Sequence, residues 1–357
     1  MNTMKKHIKN RSVCSITITF SKMLLLLLTL FFLINCGNDE SSPKIVEEKP
    51  FAKISAYSDS SLLFGDITGI KAKDSLIVIN DTEFEKAIVF DTSLNFINSI
   101  GKKGKGPKEI GNLSRSVNPI IKENNVFLYD MTKNQIKQFT IEGKLKSTID
   151  YPFNTGMDFI HFNYTLDKNG FFYSSSYLSE KPIIKFNDHG KIIDQFGTFL
   201  PAENKKHKRA INYRHLVSTS DNKIVCVYKS KPQIEIYTRR GKRLNTYKYD
   251  NYFNFFNKRV ERKIRENPQK KFVAHNLFRD TYFYKNKLYL LFWGDYDEHP
   301  FSNQIAVFNL KNANITFEKV INLKTNNGKS SFSAFCVINN KLLAYDSLAG
   351  ELLIYKI

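Results

Sequence analysis

The sequence predicts an all-β chain folded as a six-bladed β-propeller, and three observations support this prediction. The 30 phenylalanines and 18 tyrosines, together with short runs of isoleucine and valine, favour strands over helices. One pattern of a turn followed by a short apolar strand recurs six times along the chain. The interval between copies is roughly 45 to 65 residues, which is the size of one propeller blade.

Each copy of the pattern begins with a turn of Asn, Asp or Lys. The six copies are KDSLIVIND from Lys73, ENNVFLYDM from Glu123, KNGFFYSSS from Lys168, DNKIVCVYK from Asp221, KNKLYLLFW from Lys285 and NNKLLAYDS from Asn339. In the first five copies a second strand, a turn and a third strand follow. The turns EGK, DHGK and RRGK place a glycine where a hairpin needs a positive φ. The strands on either side alternate apolar and polar residues, as half-buried strands do.

The sixth copy ends at Ile357 and has no outer strand of its own. We expect FAKISAY, Phe51–Tyr57, to supply that strand by pairing with GELLIYKI at the end of the chain. Such closure of the ring removes exposed strand edges and the aggregation that they invite.

The second copy carries a family resemblance. Its sequence from Glu123 to Ile149, ENNVFLYDMTKNQIKQFTIEGKLKSTI, parallels the form Gly/Asn-x-apolar-x-apolar-x-Asp-x-x-Asn-x-x-Ile-x-x-Phe-x-x-x-Gly-Lys. It resembles the NHL-repeat and TolB-like six-bladed propellers, in particular the propeller lipoproteins of Gram-negative bacteria. The resemblance covers about residues 51–357. It implies the fold and says almost nothing about activity.

The glycine-rich stretch NSIGKKGKGPKEIG, Asn98–Gly111, raises the question of a phosphate loop. Gly101 and Gly106 have the Walker spacing, but Pro107 stands where the lysine belongs and has no N–H to offer a phosphate. The stretch resembles the connection between blades in the lipoprotein family, with Lys108 in place of a glycine. We therefore interpret it as structural.

The N-terminus predicts a signal peptide over residues 1–35. Basic residues precede the apolar run Met23–Ile34, which is too short for the ~20 residues that span a bilayer. The segment ends in LINC, which resembles the lipobox of bacterial lipoproteins, although Asn35 stands where a small residue is usual. We expect Cys36 to be lipidated.

Residues 36–50 then predict the lipidated cysteine and a flexible tether, because they are polar and charged. The expected location is the cell envelope, with the protein anchored by lipid to the outer membrane and facing the periplasm or the surface. Acidic residues after Cys36 look like surface-export signals, and a plain solvated tether is the alternative.

The formal net charge of +20 bears on partners. An exported protein meets no nucleic acid inside a cell, so we exclude that partner. A basic surface favours anionic glycans, lipopolysaccharide or the membrane surface. The alternative is a generally basic, soluble surface without a specific partner.

Two further features of the sequence are interpreted structurally or left open. Cys226 and Cys336 lie in apolar strand patterns, which predicts buried packing without a disulfide. Residues 251–272 have helix-forming composition up to Pro268 and form a possible helical insert. This insert is either a basic cap over one propeller face or a decorated loop.

Candidate ligand-binding residues lie where the inner strands begin, because these strands line the central channel of a propeller. The predicted channel-mouth site consists of Asp66, Arg115, His161, Arg214, His215 and Arg279. Further polar candidates on the same segments are Asn118, Asp158, Tyr213, His275, Asn276, Asp280 and Ser333. The arginines and histidines would make a cationic mouth suited to carboxylate or sulfate groups. The alternative is that each is a satisfied polar residue at a strand end.

The sequence favours a non-catalytic, monomeric binding protein without a cofactor. Its expected ligand or partner is an anionic glycan, a peptide or an envelope protein. The alternative is a propeller hydrolase or lyase with a His/Arg or divalent-metal site, in which His161, His215 and His275 would cluster. The motifs H-E-x-x-H and G-x-S-x-G are absent from the sequence. A scaffold whose outer rim docks envelope proteins also remains open.

Overall fold

The structure is a computed structural model. It describes residues 43–55, 63–113, 117–153, 163–202, 208, 211–250, 265, 277–293, 302–325 and 328–357. The described strands form six sheets, which confirms the predicted six-bladed β-propeller. Residues 43–357 form one compact unit.

Two short strands, β1 (Ile45–Glu48) and β2 (Ala52–Ser55), precede the first blade. Blade one consists of β3 (Ile67–Lys73), β4 (Leu76–Asp81), β5 (Lys86–Asp91) and β6 (Phe96–Ile100). Blade two consists of β7 (Ile120–Lys122), β8 (Asn125–Asp130), β9 (Gln135–Thr140) and β10 (Leu145–Asp150). Blade three consists of β11 (Tyr164–Leu166), β12 (Phe172–Ser175), β13 (Ile183–Phe186) and β14 (Ile192–Phe196).

Blade four consists of β15 (Arg214–Ser218), β16 (Lys223–Tyr228), β17 (Gln233–Thr238) and β18 (Arg243–Lys248). Blade five consists of β19 (Phe278–Tyr284), β20 (Lys287–Phe292), β21 (Gln304–Lys311) and β22 (Asn314–Leu323), with β1 as a fifth strand. Blade six consists of β23 (Phe332–Ile338), β24 (Lys341–Asp346) and β25 (Glu351–Lys356), with β2 as its outer strand. Within each blade, neighbouring strands are antiparallel, except that β1 is parallel to β22.

Burial follows the position of a strand within its blade. Every residue of β4 and β8 is buried, whereas most of β6 and β18 is exposed or half-buried. Middle strands face a neighbouring blade on both sides, so they are apolar almost without interruption. Aromatic pairs join adjacent blades, for example Phe127 and Phe172 with ring centroids 5.7 Å apart. The core is therefore a ring of interblade layers.

The predicted closure of the ring is confirmed. Lys53 lies opposite Leu353 in an antiparallel pair, and Phe51 N donates to Ile354 O at 2.9 Å. The first and last parts of the propeller therefore share blade six.

The predicted tether over residues 36–50 is wrong at its C-terminal end. Residues Ile45–Glu48 pair in parallel with Val320–Leu323, and Lys324 Nζ lies 2.9 Å from Glu47 Oε1. The unpaired edge of β22 offers backbone groups to this segment. Composition pointed to a tether because only two apolar residues stand among charged ones. The expected signal peptide (1–35), Cys36 and residues 37–42 lie outside the described residues.

The turn at the start of each repeat joins the inner strand of a blade to its second strand. In blades two, five and six both turn residues have positive φ, as in Asn339 (49°) and Asn340 (59°). Asparagine adopts this conformation more easily than most residues, which explains its recurrence. The glycine turns between third and outer strands also agree with the prediction, with φ of 84° at Gly143 and 75° at Gly241.

The glycine-rich connection between blades one and two agrees with the structural interpretation. Gly106 N donates to Glu109 Oε2 at 2.8 Å, so a carboxylate of the loop itself occupies this amide. Lys133 Nζ donates to the carbonyl oxygens of Lys105 and Gly106, each at 2.9 Å. Lys137 Nζ donates to Glu109 O. Blade two thus fixes the loop through its own side chains.

A buried aspartate ends the second strand in blades one, two and six. Asp81 accepts from Gly65 N at 2.9 Å, and Asp346 accepts from Ser331 N at 3.1 Å, so each ties the strand end to the approach of the inner strand. Asp130 forms a buried ion pair with Lys137 at 2.9 Å. Burial raises the pKa of Asp346 despite its backbone hydrogen bonds. We call blades one, two and six the regular blades.

Other expectations concern features outside the regular blades. Cys226 and Cys336 are buried and free, as predicted. Of the possible helical insert over 251–272, only Arg265 lies among the described residues. No helix in the described part of the chain is both long enough and apolar enough to cross a membrane.

Candidate functional site: the central channel

The inner strands β3, β7, β11, β15, β19 and β23 surround the central channel. Each inner strand begins after a connection from the previous blade and ends in a hairpin turn. We call the end where these strands begin the upper end, and the opposite one the lower end. A cavity of about 580 Å³, lined by residues of all six blades, occupies the channel towards the lower end.

A buried polar cluster lies midway along the channel. Asp280 accepts from Asn118 Nδ2 at 2.8 Å and from Thr281 N at 2.7 Å. Lys71 Nζ donates to Thr281 O at 2.8 Å and lies 3.8 Å from Asp280 Oδ1. Burial lowers the pKa of Lys71, and the carboxylate of Asp280 opposes that shift. These contacts join blades one, two and five.

Arg279 is one of the predicted residues that the structure places at the upper end. Its guanidinium lies 4.3 Å from the centre of the Trp293 ring and donates to Ser331 Oγ and Phe332 O, both at 3.2 Å. Burial lowers the pKa of Arg279, and Asp66 opposes that shift. Arg279 and Asp66 are therefore close enough for their charges to interact.

His215 lies in blade four and is buried next to blade five, which carries Arg279. Its Nδ1 lies 3.2 Å from Thr281 Oγ1, and its Nε2 lies 3.4 Å from Tyr213 OH. The ring of Phe278 meets the imidazole edge-to-face at 5.0 Å. His215 thus belongs to a polar chain between blades four and five.

Arg214 faces a different environment. It is fully buried, and its guanidinium donates to Asn212 O at 2.9 Å, Thr198 O at 2.8 Å and Tyr228 OH at 2.7 Å. These partners belong to blade four and to the connection before it. We assign the guanidinium of Arg214 to the packing of blade four. Arg115 and His161 lie outside the described residues.

Lys229 and Trp293 join the upper end although sequence reasoning did not select them. Leu277 N donates to Lys229 O at 2.7 Å and Trp293 N donates to Leu277 O at 3.2 Å, so both flank Leu277. Lys229 Nζ lies 5.0 Å from the centre of the Tyr213 ring. We call Tyr213, His215, Lys229, Arg279 and Trp293 the upper cluster.

The electrostatics of Lys229 are unusual for a lysine. Burial lowers its pKa from the usual 10.5 to about 8; Asp280 opposes this shift and the positive charge of Arg279 adds to it. Among the described residues, the ammonium group lies over the ring of Tyr213, and none accepts a hydrogen bond from it. An anion beside Lys229 and Arg279 would supply the missing hydrogen-bond acceptor and balance the two positive charges.

The repeated sequence pattern contains a signal that identifies Lys229 and Trp293. By strand register, Tyr228 and Phe292 stand where the regular blades have Asp81, Asp130 and Asp346. Lys229 and Trp293 each follow that position. Departures from the repeat therefore mark the upper cluster, and a blade-by-blade alignment of this chain with itself would have shown them.

Only some of the residues in the metal-site hypothesis lie among the described residues. His161, His275 and Asp158 lie outside the described residues, while His215 and Asp280 lie within them. Within the described ranges no three His, Cys, Asp or Glu side chains are placed to hold a metal ion.

The fold and channel define the class of this protein as a six-bladed propeller with a polar, partly buried central channel. The chain belongs to the DUF5128 family, described as a 6-bladed beta-propeller, which matches residues 51–345. No protein of curated function matches the chain.

Solved structures show the same fold at low sequence identity. A Bacteroides fragilis protein described as exported has a TM-score of 0.53 and 13% identity, covering 84% of this chain and 88% of its own. An inactive variant of virginiamycin B lyase from Staphylococcus aureus, solved with quinupristin, has a TM-score of 0.50 and 12% identity, covering 86% and 98%. A Bacteroides vulgatus member of the DUF4221 family has a TM-score of 0.50 and 9% identity, covering 82% and 92%. At these identities the likeness concerns the fold alone.

Proposed function

We propose that the protein is an exported, non-catalytic binding protein that holds an anionic group at the upper end of its channel. The observation that carries this proposal is the juxtaposition of two cations. Lys229 is a buried residue whose ammonium has no hydrogen-bond acceptor among the described residues, and Arg279 is stacked on Trp293. A carboxylate or sulfate satisfies both cations, because arginine presents two parallel donors and lysine a point charge.

The location forms part of the same proposal. A basic, apolar N-terminal segment that ends at Cys36 is typical of a lipidated envelope protein. The Bacteroides fragilis propeller described as exported supports export of this chain as well. Anionic glycans and acidic peptides are the ligands that such a location offers.

Calorimetric titration tests the proposed site. The ligands are a sulfated glycan fragment, which carries sulfate groups, and a uronate-rich glycan fragment and an acidic peptide, which carry carboxylates on two different backbones. The double variant Lys229→Met, Arg279→Gln should lose at least about tenfold in affinity, since hydrogen bonds between charged groups are worth ~1.5–3 kcal/mol.

The matched control is the double variant Lys248→Met, Arg240→Gln. It removes the same charges from exposed positions of blade four. Binding that falls equally in both variants would show a diffuse charge effect and overturn the proposed site. Absence of binding by the parent protein to all three ligands would overturn the proposed function.

The second candidate function is a hydrolase or lyase, and the chain from Tyr213 through His215 to Thr281 favours it. A buried histidine between two hydroxyl groups is able to move a proton. The variant His215→Gln separates the candidates. An enzyme converts the bound ligand in the parent protein and loses that turnover in the variant, whereas a binding protein leaves the ligand chemically unchanged in both.

A further inference from the structure

The lower end of the channel carries a second feature, which is independent of the upper cluster. The cavity of about 580 Å³ lies within the ~300–1,000 Å³ typical of small-molecule sites. Its walls come from all six inner strands and their hairpin turns. Leu216, Ile120 and Tyr282 contribute apolar surface, while Thr165 and Ser218 contribute hydroxyl groups.

Five lysines line this cavity from four blades. Lys71 lies at its inner part, and Lys73, Lys122, Lys168 and Lys285 lie towards the hairpin turns. Lys73, Lys168 and Lys285 are exposed, and none of them has an ion-pair partner within the described ranges. Lys122 Nζ lies 4.0 Å from Glu123 Oε1, which is the limit of an ion pair.

The acidic residues of the lining do not balance this charge. Asp167 is buried and already engaged, because it accepts from Tyr173 OH at 3.1 Å and lies 3.7 Å from Arg239 Nη1. Its other carboxylate oxygen accepts from the backbone N–H groups of Asn169 at 2.8 Å and Phe171 at 3.0 Å. Asp74 remains as the one further acidic lining residue. The cavity therefore has a net positive charge.

The rigid turns of the propeller fix the positions of these lysines. Lys73 and Lys122 are the last residues of their inner strands, and Lys285 is the first residue of a turn with positive φ at both positions. The backbone atoms that carry the lysines are therefore set in a ring around the channel axis. Like charges arranged in this way repel one another, and a ligand with several negative charges relieves the repulsion.

We propose that this lower cavity binds a compact polyanion, a small molecule that bears phosphate or sulfate groups on several sides. Because the lysines come from blades one, two, three and five, a molecule with several anionic groups contacts more of them than a molecule with one. Lysine suits phosphate as a point-charge partner with rotatable donors. The apolar wall accommodates the carbon skeleton of such a molecule.

Inositol hexakisphosphate is the probe that tests this proposal by calorimetry. The parent protein should bind one equivalent, and affinity should fall as salt is added, because salt screens exposed charges. The triple variant Lys73→Gln, Lys168→Gln, Lys285→Gln should weaken binding by roughly a hundredfold, the sum of three ~1 kcal/mol contacts.

The fold provides a matched control for the triple variant. Lys144, Lys191 and Lys242 are exposed and follow the glycine of the turn between third and outer strands in blades two, three and four. These turns lie at the same lower end but on the outer rim. Replacing all three by glutamine should change affinity by no more than about twofold, because long-range charge effects are screened.

Three outcomes would overturn the proposal. They are failure of the parent protein to bind the probe, equal loss in the inner and outer triple variants, and binding of inorganic phosphate as tightly as the hexakisphosphate. The inner triple variant leaves Lys229 and Arg279 in place, so its loss of probe binding tests the lower cavity. Loss of glycan or peptide binding in the double variant Lys229→Met, Arg279→Gln tests the upper cluster separately.

Discussion

The regular blades one, two and six differ from blades four and five at the end of the second strand. The regular blades place a buried aspartate there. Its carboxylate accepts hydrogen bonds from backbone N–H groups or forms an ion pair with a lysine. Blades four and five place Tyr228 and Phe292 at that position and Lys229 and Trp293 after it. The regular blades thus use the position for stability, whereas the others use it to bring a cation and an indole to the channel.

Blade four also shows how an irregular blade compensates for the missing carboxylate. Arg214 donates to carbonyl oxygens of Asn212 and Thr198, and so ties the preceding connection to the blade. Tyr228 OH donates to the buried Glu235 at 3.0 Å. In blade four, hydrogen bonds donated by Arg214 and Tyr228 thus take the place of those that the aspartate carboxylate accepts in the regular blades. This role explains why Arg214, selected from the sequence as a ligand residue, lies buried in packing.

The largest expected effect is on a regular blade, in the variant Asp130→Ala. The side chain of Lys137 is 1% exposed, and its ammonium would lose its carboxylate partner. Breaking a buried ion pair costs about 3–5 kcal/mol in the free energy of unfolding. Urea denaturation measures the loss. The double variant Asp130→Ala, Lys137→Met should recover much of it, and failure to recover would mean that the aspartate acts through other contacts.

At Lys229 in blade four we expect a smaller effect on the free energy of unfolding. Here removal of the charged side chain stabilises the folded protein, whereas removal of Asp130 destabilises it. Its pKa is about 8 in the folded chain and 10.5 ordinarily, so the unfolded chain holds more protons between these values. The free energy of unfolding therefore rises between about pH 8 and pH 10.5, by up to ~3 kcal/mol.

Comparison of the parent protein with Lys229→Met isolates this contribution. At pH 7 the variant should be the more stable of the two, because the ammonium no longer has to be buried. The difference should shrink as pH approaches 10.5. A difference that stays constant over this range would show that the lysine is solvated in the folded protein. Urea denaturation at several pH values provides the measurement.

The smallest of the three effects is expected at Asp346 in blade six. Replacement by alanine removes the acceptor for Ser331 N at 3.1 Å and Leu348 N at 3.0 Å. Ser331 is buried, so its unsatisfied N–H costs about 1–3 kcal/mol, whereas Leu348 is exposed and its N–H is accessible to solvent. The conservative replacement Phe292→Leu at the equivalent position of blade five should cost less. The reverse order, measured by thermal unfolding, would contradict the division into regular and irregular blades.

The sequence predicted the propeller well because its signals are local and repeated. The asparagine turns, the glycine turns and the strand at Phe51 each depend on residues next to one another in the chain. The strand β1 was missed because two apolar residues among charged ones carry no periodic signal. Its partner strand lies far away in the sequence, and the free edge that attracts it is visible only after folding.

The candidate site was predicted only in part, for a different physical reason. Position along an inner strand selected Arg279, His215 and Asp66, and the structure places Arg279 and His215 at the upper end of the channel. It could not show that Arg214 turns into the blade, since side-chain direction depends on the partners that the neighbouring connection supplies. Lys229 and Trp293 lie on second strands and their turns, which the search for inner-strand residues did not include.

The pKa of Lys229 with and without a bound anion tests the central claim most directly. Nuclear magnetic resonance of lysine labelled at the ammonium group follows this titration in the intact protein. An anion seated against Lys229 and Arg279 favours the charged amine, so saturation with a sulfated glycan or acidic peptide should raise the pKa from about 8. A pKa that stays near 8 while the ligand is bound would contradict the assignment of the upper cluster as the binding site.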